Sequence, residues 1–323
     1  MLAEYALIPD VFDEDCYSSS DLCNSRLQLL KEPLLEEALI RDLSDGQLHR
    51  YLKSESFKKH LRAKELIRKL ISQKRFCLFP TVKHNVPANY VEWCDEAIAS
   101  NTKEPLNGVI SNKSTAEHFK KEKIVSSIEK LPNTSWWQDR GPSIRIRRQT
   151  IDYLDRLKKV LGNANSIMFI DPYLDPTQKN YNEFINLLKA TKRSELQPLI
   201  EIHRVCYVGS GKNKEYLTMD DWKNRFKQSI HEELNKCGLT VTIFFWDNFH
   251  DRYLITNLIG ISLPHGFDVS RHSDEMTTWA RLSRKNRDDI QREFDPGAKR
   301  RTLKYTFKAG FDSNDLDIVV DVK

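Results

Sequence analysis

The sequence predicts an α+β protein in which a mostly helical N-terminal domain, residues 1–145, precedes an α/β domain with a mixed sheet, residues 146–323. Three observations support this prediction. The length of 323 residues is about twice a common domain size. Apolar residues recur at helical spacing in the first third of the chain, and strand-like runs alternate with helical segments after Ser143.

The N-terminal domain is predicted to be helical from the spacing of its apolar residues. Two sets recur every three or four positions: Leu27, Leu30, Leu34, Leu35 and Leu39, then Phe57, Leu61, Ile67, Leu70 and Ile71. Residues 80–150 are irregular, because five prolines interrupt them and no strand alternates cleanly. We expect this helical half to act as an adaptor that docks a protein partner.

The elements of the α/β domain follow from alternating helical and strand-like patterns. Thr218 and Asp221 resemble a capping box, which predicts the start of a helix. The segment DPYLDP is a turn. The predicted elements are a helix over 149–161, a strand over 166–171, a helix over 181–188, a strand over 199–208, the helix after Thr218, and strands over 239–246 and 251–256, followed by a basic C-terminal extension.

Composition favours a protein without disulfides, cofactors or a membrane span. The six cysteines lack C-x-x-C spacing, and no histidine stands at zinc-finger distance from a cysteine pair. With only 11 glycines in the chain, glycine-rich phosphate loops are not expected. No stretch approaches the roughly 20 apolar residues that cross a bilayer. We therefore expect a cytoplasmic protein with reduced cysteines, no metal and no cofactor.

The net charge is small, but the basic residues are clustered. Lys and Arg total 51 against 46 Asp and Glu, which gives a net charge of +5 and an isoelectric point near 8.7. Basic residues concentrate in segments 51–75 and 271–304. Such clusters could follow the phosphate backbone of nucleic acid, or they could be solvated helix faces. Nucleic acid is thus one expected partner.

The strongest local signal is the segment WDNFHDRYLITN, which begins at the end of the strand over 239–246. In an extended strand residues i and i+2 share a face, so His250 and Arg252 are predicted to project together. A neutral imidazole can supply a nucleophile or a proton, and a guanidinium neutralises phosphoryl oxygens. The alternative is a structural histidine that caps the strand and pairs with Asp247 or Asp251.

The segment HDRYLITN resembles the phospholipase D superfamily signature H-x-K-x-x-x-x-D, with His250, Arg252 and Asn257 at the positions of its His, Lys and Asp. SIMFIDPYLD is similar to the first core strand of many phospholipase-D-like domains. HDRYLITNLIGISLPHGFD is more similar still to the phospholipase-D-like C-terminal domain of MIT-domain proteins, with Gly266 and Asp268 at its end. The resemblance covers roughly residues 149–270.

This resemblance implies a phosphodiesterase or nuclease that acts on nucleic acid through His250 as nucleophile, with Arg252 and Asn257 as the other catalytic candidates. Enzymes of the superfamily use two such motifs. The single motif here implies similarity to nucleases that pair two chains in a homodimer. A helical adaptor fused to such a domain also resembles components of bacterial phage-defence operons.

A binding module is the alternative that the resemblance leaves open. Arg252 cannot donate a proton as a lysine can, and Asn257 cannot stabilise an imidazolium as a carboxylate does. The MIT-associated domains resemble binding modules. A catalytically degenerate domain would bind nucleic acid or assemble with a partner protein.

Further candidates for substrate binding flank the motif. Ligand crevices in α/β sheets form at the carboxyl ends of strands. A turn is the plain alternative for Asp171 and Tyr173, and a solvated loop is the plain alternative for Arg271 and His272. The candidates are Asp171 and Tyr173 after the first strand, His203 and Arg204 on a phosphate-facing strand, and Arg271 and His272 on a basic rim.

Two other patterns imitate known sites. Gly209, Ser210, Gly211 and Lys212 resemble a phosphate loop, but the upstream glycine is absent, so a polar turn is predicted. Asp171 with Glu201 and His203 imitates a Mg²⁺-dependent nuclease, although a histidine stands where a lysine is expected. The metal-dependent interpretation is therefore a third alternative.

Overall fold

Two large sheets, one in each of two units, organise the described residues. A computed structural model describes residues 1–17, 19–55, 57, 60–194, 196–311 and 318–319. The chain divides into two units between Gly141 and Pro142, close to the predicted boundary after residue 145. The strand that begins at Ser143 pairs within the second sheet, which is why the division comes slightly earlier. The predicted α+β class is confirmed.

The first unit contains a five-stranded parallel sheet in the order β3-β2-β1-β4-β5. Its strands are β1 (Ala3–Leu7), β2 (Ala38–Asp42), β3 (Phe76–Leu78), β4 (Gly108–Ser111) and β5 (Val125–Ser127). Its helices are α1 (Ser20–Glu36), α2 (Leu43–Lys53), α3 (Leu61–Ser72), α4 (Tyr90–Lys103), α5 (Lys113–His118) and α6 (Ser135–Gln138), with short 3-10 helices at Pro9–Phe12, Glu14–Tyr17 and Ile128–Asn133.

The first unit contains a sheet that the prediction of a mostly helical domain did not include. Strands β1 and β2 are buried along their whole length. A short buried strand carries a continuous apolar run, and periodicity alone cannot separate such a run from a buried helix. Residue Leu39, placed in a helix by its spacing, therefore lies in β2. The helices are present, but they pack around a sheet.

The second unit contains a mixed sheet that the described residues form in the order β16-β15-β11-β8-β7-β12-β13-β14-β6. Its strands are β6 (Ser143–Arg147), β7 (Ser166–Ile170), β8 (Leu199–Val205), β11 (Thr240–Trp246), β12 (Tyr253–Thr256), β13 (Gly260–Ser262), β14 (Met276–Arg281), β15 (Leu303–Gly310) and β16 (Ile318–Val319), and a separate hairpin pairs β9 (Tyr207–Val208) with β10 (Glu215–Tyr216).

Helices of the second unit follow the predicted alternation with strands. The capping box at Thr218 and Asp221 is present: the Asp221 amide donates to Thr218 Oγ1 at 3.2 Å, and the Thr218 amide donates to Asp221 Oδ2 at 3.0 Å. The helices are α7 (Thr150–Asn163), α8 (Phe184–Lys189), α9 (Met219–Phe226), α10 (Glu232–Cys237) and α11 (Arg284–Glu293), with a π-helical turn at Lys227–His231 and 3-10 turns at Gly211–Asn213 and Pro296–Ala298.

Three central strands fix the position of the candidate site. Strands β7, β8 and β11 are parallel, and β12 runs antiparallel to β7. The carboxyl ends of the three parallel strands therefore lie at the same edge of the sheet as the amino end of β12. Among the described helices, none combines the length and the apolar character that a membrane crossing requires.

Candidate functional site

Asp171 and the motif residue Arg252 lie at the carboxyl edge of the central parallel strands. Asp171 follows β7 directly, and Arg252 directly precedes β12. Tyr253 is opposite Ile170 in the register of the two antiparallel strands, so Asp171 and Arg252 come to the same edge from distant parts of the sequence. This edge is where ligand crevices form in α/β sheets.

Arg252 ties two loops together at this edge. Its Nη1 donates to the carbonyl oxygens of His250 at 3.4 Å and Pro264 at 3.2 Å. Its Nε lies 3.8 Å from Oδ1 of Asp171, and its Cζ lies 5.1 Å from the centre of the Tyr173 ring. The Arg252 side chain remains 26% exposed, so a fixed guanidinium presents part of its surface to solvent.

Asp171 is the buried partner of this arginine. Its Oδ1 accepts from the amide of Tyr173 at 3.0 Å, and its Oδ2 accepts from the amide of Phe267 at 3.0 Å and the hydroxyl of Tyr181 at 3.1 Å. Burial raises the pKa of Asp171 to about 6, and the hydrogen bonds and Arg252 oppose that rise. The turn interpretation of Asp171 is confirmed, because its side chain accepts from the amide two residues later.

Gly266 completes the site because no other residue fits there. Its φ of +65° lies in the left-handed region. A Cβ added at Gly266 would lie 1.9 Å from Oδ2 of Asp171 and 3.0 Å from Cδ of Arg252. The backbone thus packs directly against the ion pair. We call this constellation the Arg252 site, and it comprises Asp171, Tyr173, His250, Arg252 and Gly266.

The predicted strand position of His250 is wrong. Strand β12 begins at Tyr253, so His250 and Arg252 lie in the loop before it, and the argument from strand alternation does not apply. Residue His250 is exposed, and its carbonyl contacts Arg252. The two aspartates of this loop bind other cations: Nζ of Lys304 lies 3.0 Å from Asp247, and Nη2 of Arg301 lies 3.7 Å from Asp251. These aspartates therefore have partners other than His250.

Asn257 does not join the Arg252 site. It follows β12 at the opposite edge of the sheet from Arg252. Its Oδ1 accepts from the amides of Asn165 at 2.8 Å and Ser166 at 3.4 Å, and its carbonyl accepts from Arg287 at 3.1 Å. Asn257 thus fixes the start of β7. The prediction that it assists His250 is wrong, because a regular strand separates the two residues.

His203 is a buried structural residue and not a phosphate ligand. Its Nδ1 accepts from the indole Nε1 of Trp246 at 3.1 Å, so Nε2 carries the proton toward Glu201 Oε2 at 3.3 Å. Its ring stacks on Phe244 with centres 4.8 Å apart. Burial lowers the pKa of His203, and Glu201 opposes this change. The imidazole is neutral and shielded from solvent.

Arg204 is likewise internal. It donates from Nε to the carbonyl of Val205 at 2.7 Å, from Nη1 to that of Leu174 at 2.7 Å, and from Nη2 to that of Tyr207 at 2.9 Å. Its Cζ lies 3.4 Å from the centre of the Trp222 ring. Burial lowers the pKa of Arg204 to about 9. The prediction that Arg204 faces phosphate is wrong, since its hydrogen bonds all go to backbone carbonyls that close the loops after β7 and β8.

Arg271 and His272 lie in the exposed loop that precedes β14. The amide of His272 donates to Oγ of Ser270 at 3.1 Å, and its carbonyl accepts from the amide of Glu275 at 3.3 Å. These contacts are those of a solvated turn, which was the plain alternative. Whether these two residues contact a ligand stays a prediction.

Asp171, Glu201 and His203, which the metal-dependent interpretation requires, do not form one site. The carboxylate of Asp171 binds the loops of the Arg252 site, whereas Glu201 binds His203 beside Trp246. Among the described residues, no group of three His, Cys, Asp or Glu side chains could hold a metal ion. A cavity of about 400 Å³ lies beside Glu201 and Phe294, and its described lining does not include the Arg252 site.

A buried polar cluster around Asp10 connects two segments of the first unit. Asp10 follows β1 and is fully buried. Its Oδ1 accepts from the amide of Asn112 at 3.1 Å, and its Oδ2 accepts from the hydroxyl of Thr115 at 2.6 Å. Burial raises the pKa of Asp10 to about 7, and these hydrogen bonds oppose the rise. Both oxygens are engaged, so Asp10 fixes the start of α5 to the end of β1.

Comparisons with known proteins give structural likenesses without a family assignment. No family model matches the chain, and no curated protein matches it. Nuc from Salmonella typhimurium, a phospholipase D family member, is 9% identical and has a TM-score of 0.32, with 50% of this chain and 96% of that chain covered.

Two further solved structures are similar at the same level. TrmBL2, an archaeal chromatin protein whose structure shows a novel mode of DNA binding, is 16% identical and has a TM-score of 0.29, with 74% of this chain and 81% of that chain covered. Polyphosphate kinase from Porphyromonas gingivalis is 13% identical and has a TM-score of 0.30, with 57% of this chain and 26% of that chain covered. Scores near 0.3 do not by themselves define the fold of this chain.

Proposed function

We propose that the second unit is a phospholipase-D-like module that binds the phosphodiester backbone of nucleic acid at the Arg252 site. The observation that carries the proposal is the guanidinium of Arg252, which Asp171 and two carbonyls hold at the carboxyl edge of the sheet with part of its surface exposed. A fixed guanidinium matches the geometry of phosphate oxygens. The sequence resemblance to the superfamily motif supports the same ligand.

The distribution of charge supports a polyanionic ligand. Residues 142–323 contain 30 Lys and Arg against 25 Asp and Glu, whereas residues 1–141 contain 21 of each, so the net charge of +5 belongs to the second part of the chain. Asp171 offsets much of the charge of Arg252. The site alone therefore gives weak binding, and surrounding lysines and arginines must supply the rest through release of counterions.

Binding is better supported than turnover. The motif residue expected to orient His250 is Asn257, and it lies at the other end of β12. An imidazole that lacks an orienting carboxylate is a much weaker general base or nucleophile. A contact between Arg252 and a phosphate oxygen, in contrast, does not require an orienting carboxylate.

Replacement of Arg252 by glutamine is expected to weaken binding of a labelled oligonucleotide about tenfold or more, because a charge-assisted contact contributes about 1.5–3 kcal/mol. The slope of log affinity against log salt should fall by about one unit. Fluorescence anisotropy over a salt series measures both quantities. Arg156→Gln is the matched control, since Arg156 is an exposed arginine on α7 and is expected to have little effect.

Two results would overturn the proposal. One is wild-type protein that binds neither single-stranded nor double-stranded oligonucleotide at low salt. The other is an Arg252→Gln variant that retains the wild-type circular dichroism spectrum, the wild-type affinity and the wild-type salt slope.

Hydrolysis is the second candidate, and the exposure of His250 beside Arg252 favours it. A ring nitrogen of His250 would attack phosphorus, form an N–P bond and expel an alkoxide, which takes a proton from a second imidazole. Water would then cleave the N–P bond and release the phosphate product. A symmetric homodimer would provide the second imidazole as the partner copy of His250.

The hydrolysis candidate predicts that wild-type protein releases labelled fragments from an oligonucleotide in the presence of EDTA. The His250→Ala variant should lose this activity and keep its affinity, because the phosphate contact belongs to Arg252. Gel analysis of a time course measures the products. Equal rates for the wild type and His250→Ala would eliminate hydrolysis at this site.

A further inference from the structure

A small hairpin stands at the same sheet edge as the Arg252 site. Strand β9 (Tyr207–Val208) follows β8 after a single residue and pairs with β10 (Glu215–Tyr216). The connecting turn contains the Gly-Ser-Gly-Lys segment, and the polar turn predicted there is confirmed. Its tight shape requires Gly209, where φ is +79° and a Cβ would lie 2.2 Å from the carbonyl oxygen of Asn213.

The base of the hairpin is fixed to the sheet. The hydroxyl of Tyr207 donates to Oδ1 of Asn248 at 2.7 Å, and Asn248 belongs to the loop that carries His250. The amide of Leu217 donates to the carbonyl of Cys206 at 3.2 Å, and the hydroxyl of Tyr305 donates to the carbonyl of Leu217 at 3.0 Å. The hairpin therefore keeps a constant position relative to the Arg252 site.

The hairpin presents an aromatic ring and a cation side by side. Tyr216 is 62% exposed, and the centre of its ring lies 5.4 Å from that of Tyr207. Nζ of Lys214 lies 4.1 Å from the centre of the Tyr207 ring. A side-chain hydrogen bond with Tyr207 is the largest cause that raises the pKa of Lys214, and Tyr216 and Tyr173 add to it.

The Arg252 site contains a second pair of a cation and a ring. The guanidinium of Arg252 lies over the ring of Tyr173, and Arg204 joins this region to the hairpin because it donates to the carbonyls of Leu174, next to Tyr173, and of Tyr207. Cations and aromatic rings are thus paired at this edge, Arg252 with Tyr173 and Lys214 with Tyr207, and the exposed ring of Tyr216 lies beside the second pair. Cations interspersed with aromatic rings are typical of surfaces that bind single strands, where phosphates meet cations and bases stack on rings.

We propose that the ligand of the Arg252 site is single-stranded nucleic acid, with one base stacked on Tyr216 and the neighbouring backbone held by Lys214 and Arg252. This inference rests on the function proposed above and adds the class of nucleic acid. In a duplex each base face is covered by the next base pair, so an exposed aromatic ring finds no free base face on which to stack. An unpaired base presents a free face to Tyr216.

The experiment compares binding of a labelled oligothymidylate of about 20 nucleotides with binding of a duplex of the same length. Tyr216→Ala is expected to weaken single-strand binding about 5- to 150-fold, since one stacked base contributes about 1–3 kcal/mol, and to leave duplex binding unchanged. Tyr216→Phe should retain the wild-type affinity because it retains the ring. Phe311→Ala is the matched control: Phe311 is an exposed aromatic residue that follows β15 at the opposite edge of the sheet.

The outcomes separate this inference from the function on which it rests. If Arg252→Gln weakens binding and Tyr216→Ala does not, the stacking inference is overturned and the phosphate site stands. Equal losses for single strand and duplex in Tyr216→Ala would also overturn it, because stacking requires an unpaired base. If the wild type binds neither oligonucleotide, the proposed function fails together with the inference.

Discussion

Replacement of Gly266 by alanine is expected to destabilise the second unit by about 3–5 kcal/mol. The added Cβ would lie 1.9 Å from Oδ2 of Asp171, far inside van der Waals contact. The carboxylate must then move, and it would lose its hydrogen bonds with Phe267 and Tyr181 in a buried environment. The left-handed φ of +65° adds about 1 kcal/mol of backbone strain for any residue with a Cβ.

Gly162→Ala provides the matched control for this prediction. Gly162 lies in the last turn of α7, and a Cβ there would meet nothing within 4 Å. Alanine is favoured over glycine in a helix by up to about 1 kcal/mol, so this variant should be as stable as the wild type or slightly more stable. Chemical denaturation measures the free energy of unfolding for both variants. Equal stabilities would show that Gly266 does not pack against Asp171 as described.

Replacement of Arg204 by methionine is expected to cost about 3–5 kcal/mol. Methionine fills a similar volume, but it leaves the carbonyls of Leu174, Val205 and Tyr207 without their donor. Each buried, unpaired carbonyl costs about 1–3 kcal/mol. Although burial lowers the pKa of Arg204 to about 9, the guanidinium remains charged at neutral pH.

Arg225→Met is the control for the Arg204 variant because both guanidinium groups contact Trp222. The Cζ of Arg225 lies 5.4 Å from the ring centre, and its side chain is 32% exposed while it pairs with Asp175 at 2.6 Å. Asp175 is buried, but it keeps its hydrogen bonds from the amide and the hydroxyl of Thr177, so this loss should be smaller than that of the Arg204 variant. Denaturation curves that place the Arg204 and Arg225 variants at the same midpoint would contradict the structural role of Arg204.

Much of the second unit could be predicted from the sequence because its central strands are long apolar runs between polar turns. The predicted strand over 166–171 corresponds to Ser166–Ile170, and that over 239–246 corresponds to Thr240–Trp246. The capping box at Thr218 was recognisable since it depends on two side chains three residues apart. Local patterns of this kind do not need tertiary information.

The sites of the second unit were less predictable because contacts between distant segments determine them. Alternation along β8 places His203 and Arg204 on opposite faces, yet sequence cannot show that both faces are covered. The cations that pair with Asp247 and Asp251 are Lys304 and Arg301, which lie about 50 residues further along the chain and which local spacing does not place beside the motif. The glycine of HGFD was a visible signal, but only the structure shows that it contacts Asp171.

One buried cation couples two parts of the surface proposed to bind nucleic acid. Arg204 holds the carbonyl of Leu174, next to Tyr173, and that of Tyr207, at the base of the hairpin. The spacing between these two tyrosines is therefore set before any ligand arrives. A preorganised surface loses little conformational entropy on association, so encounter with a strand should be fast and governed by electrostatic steering.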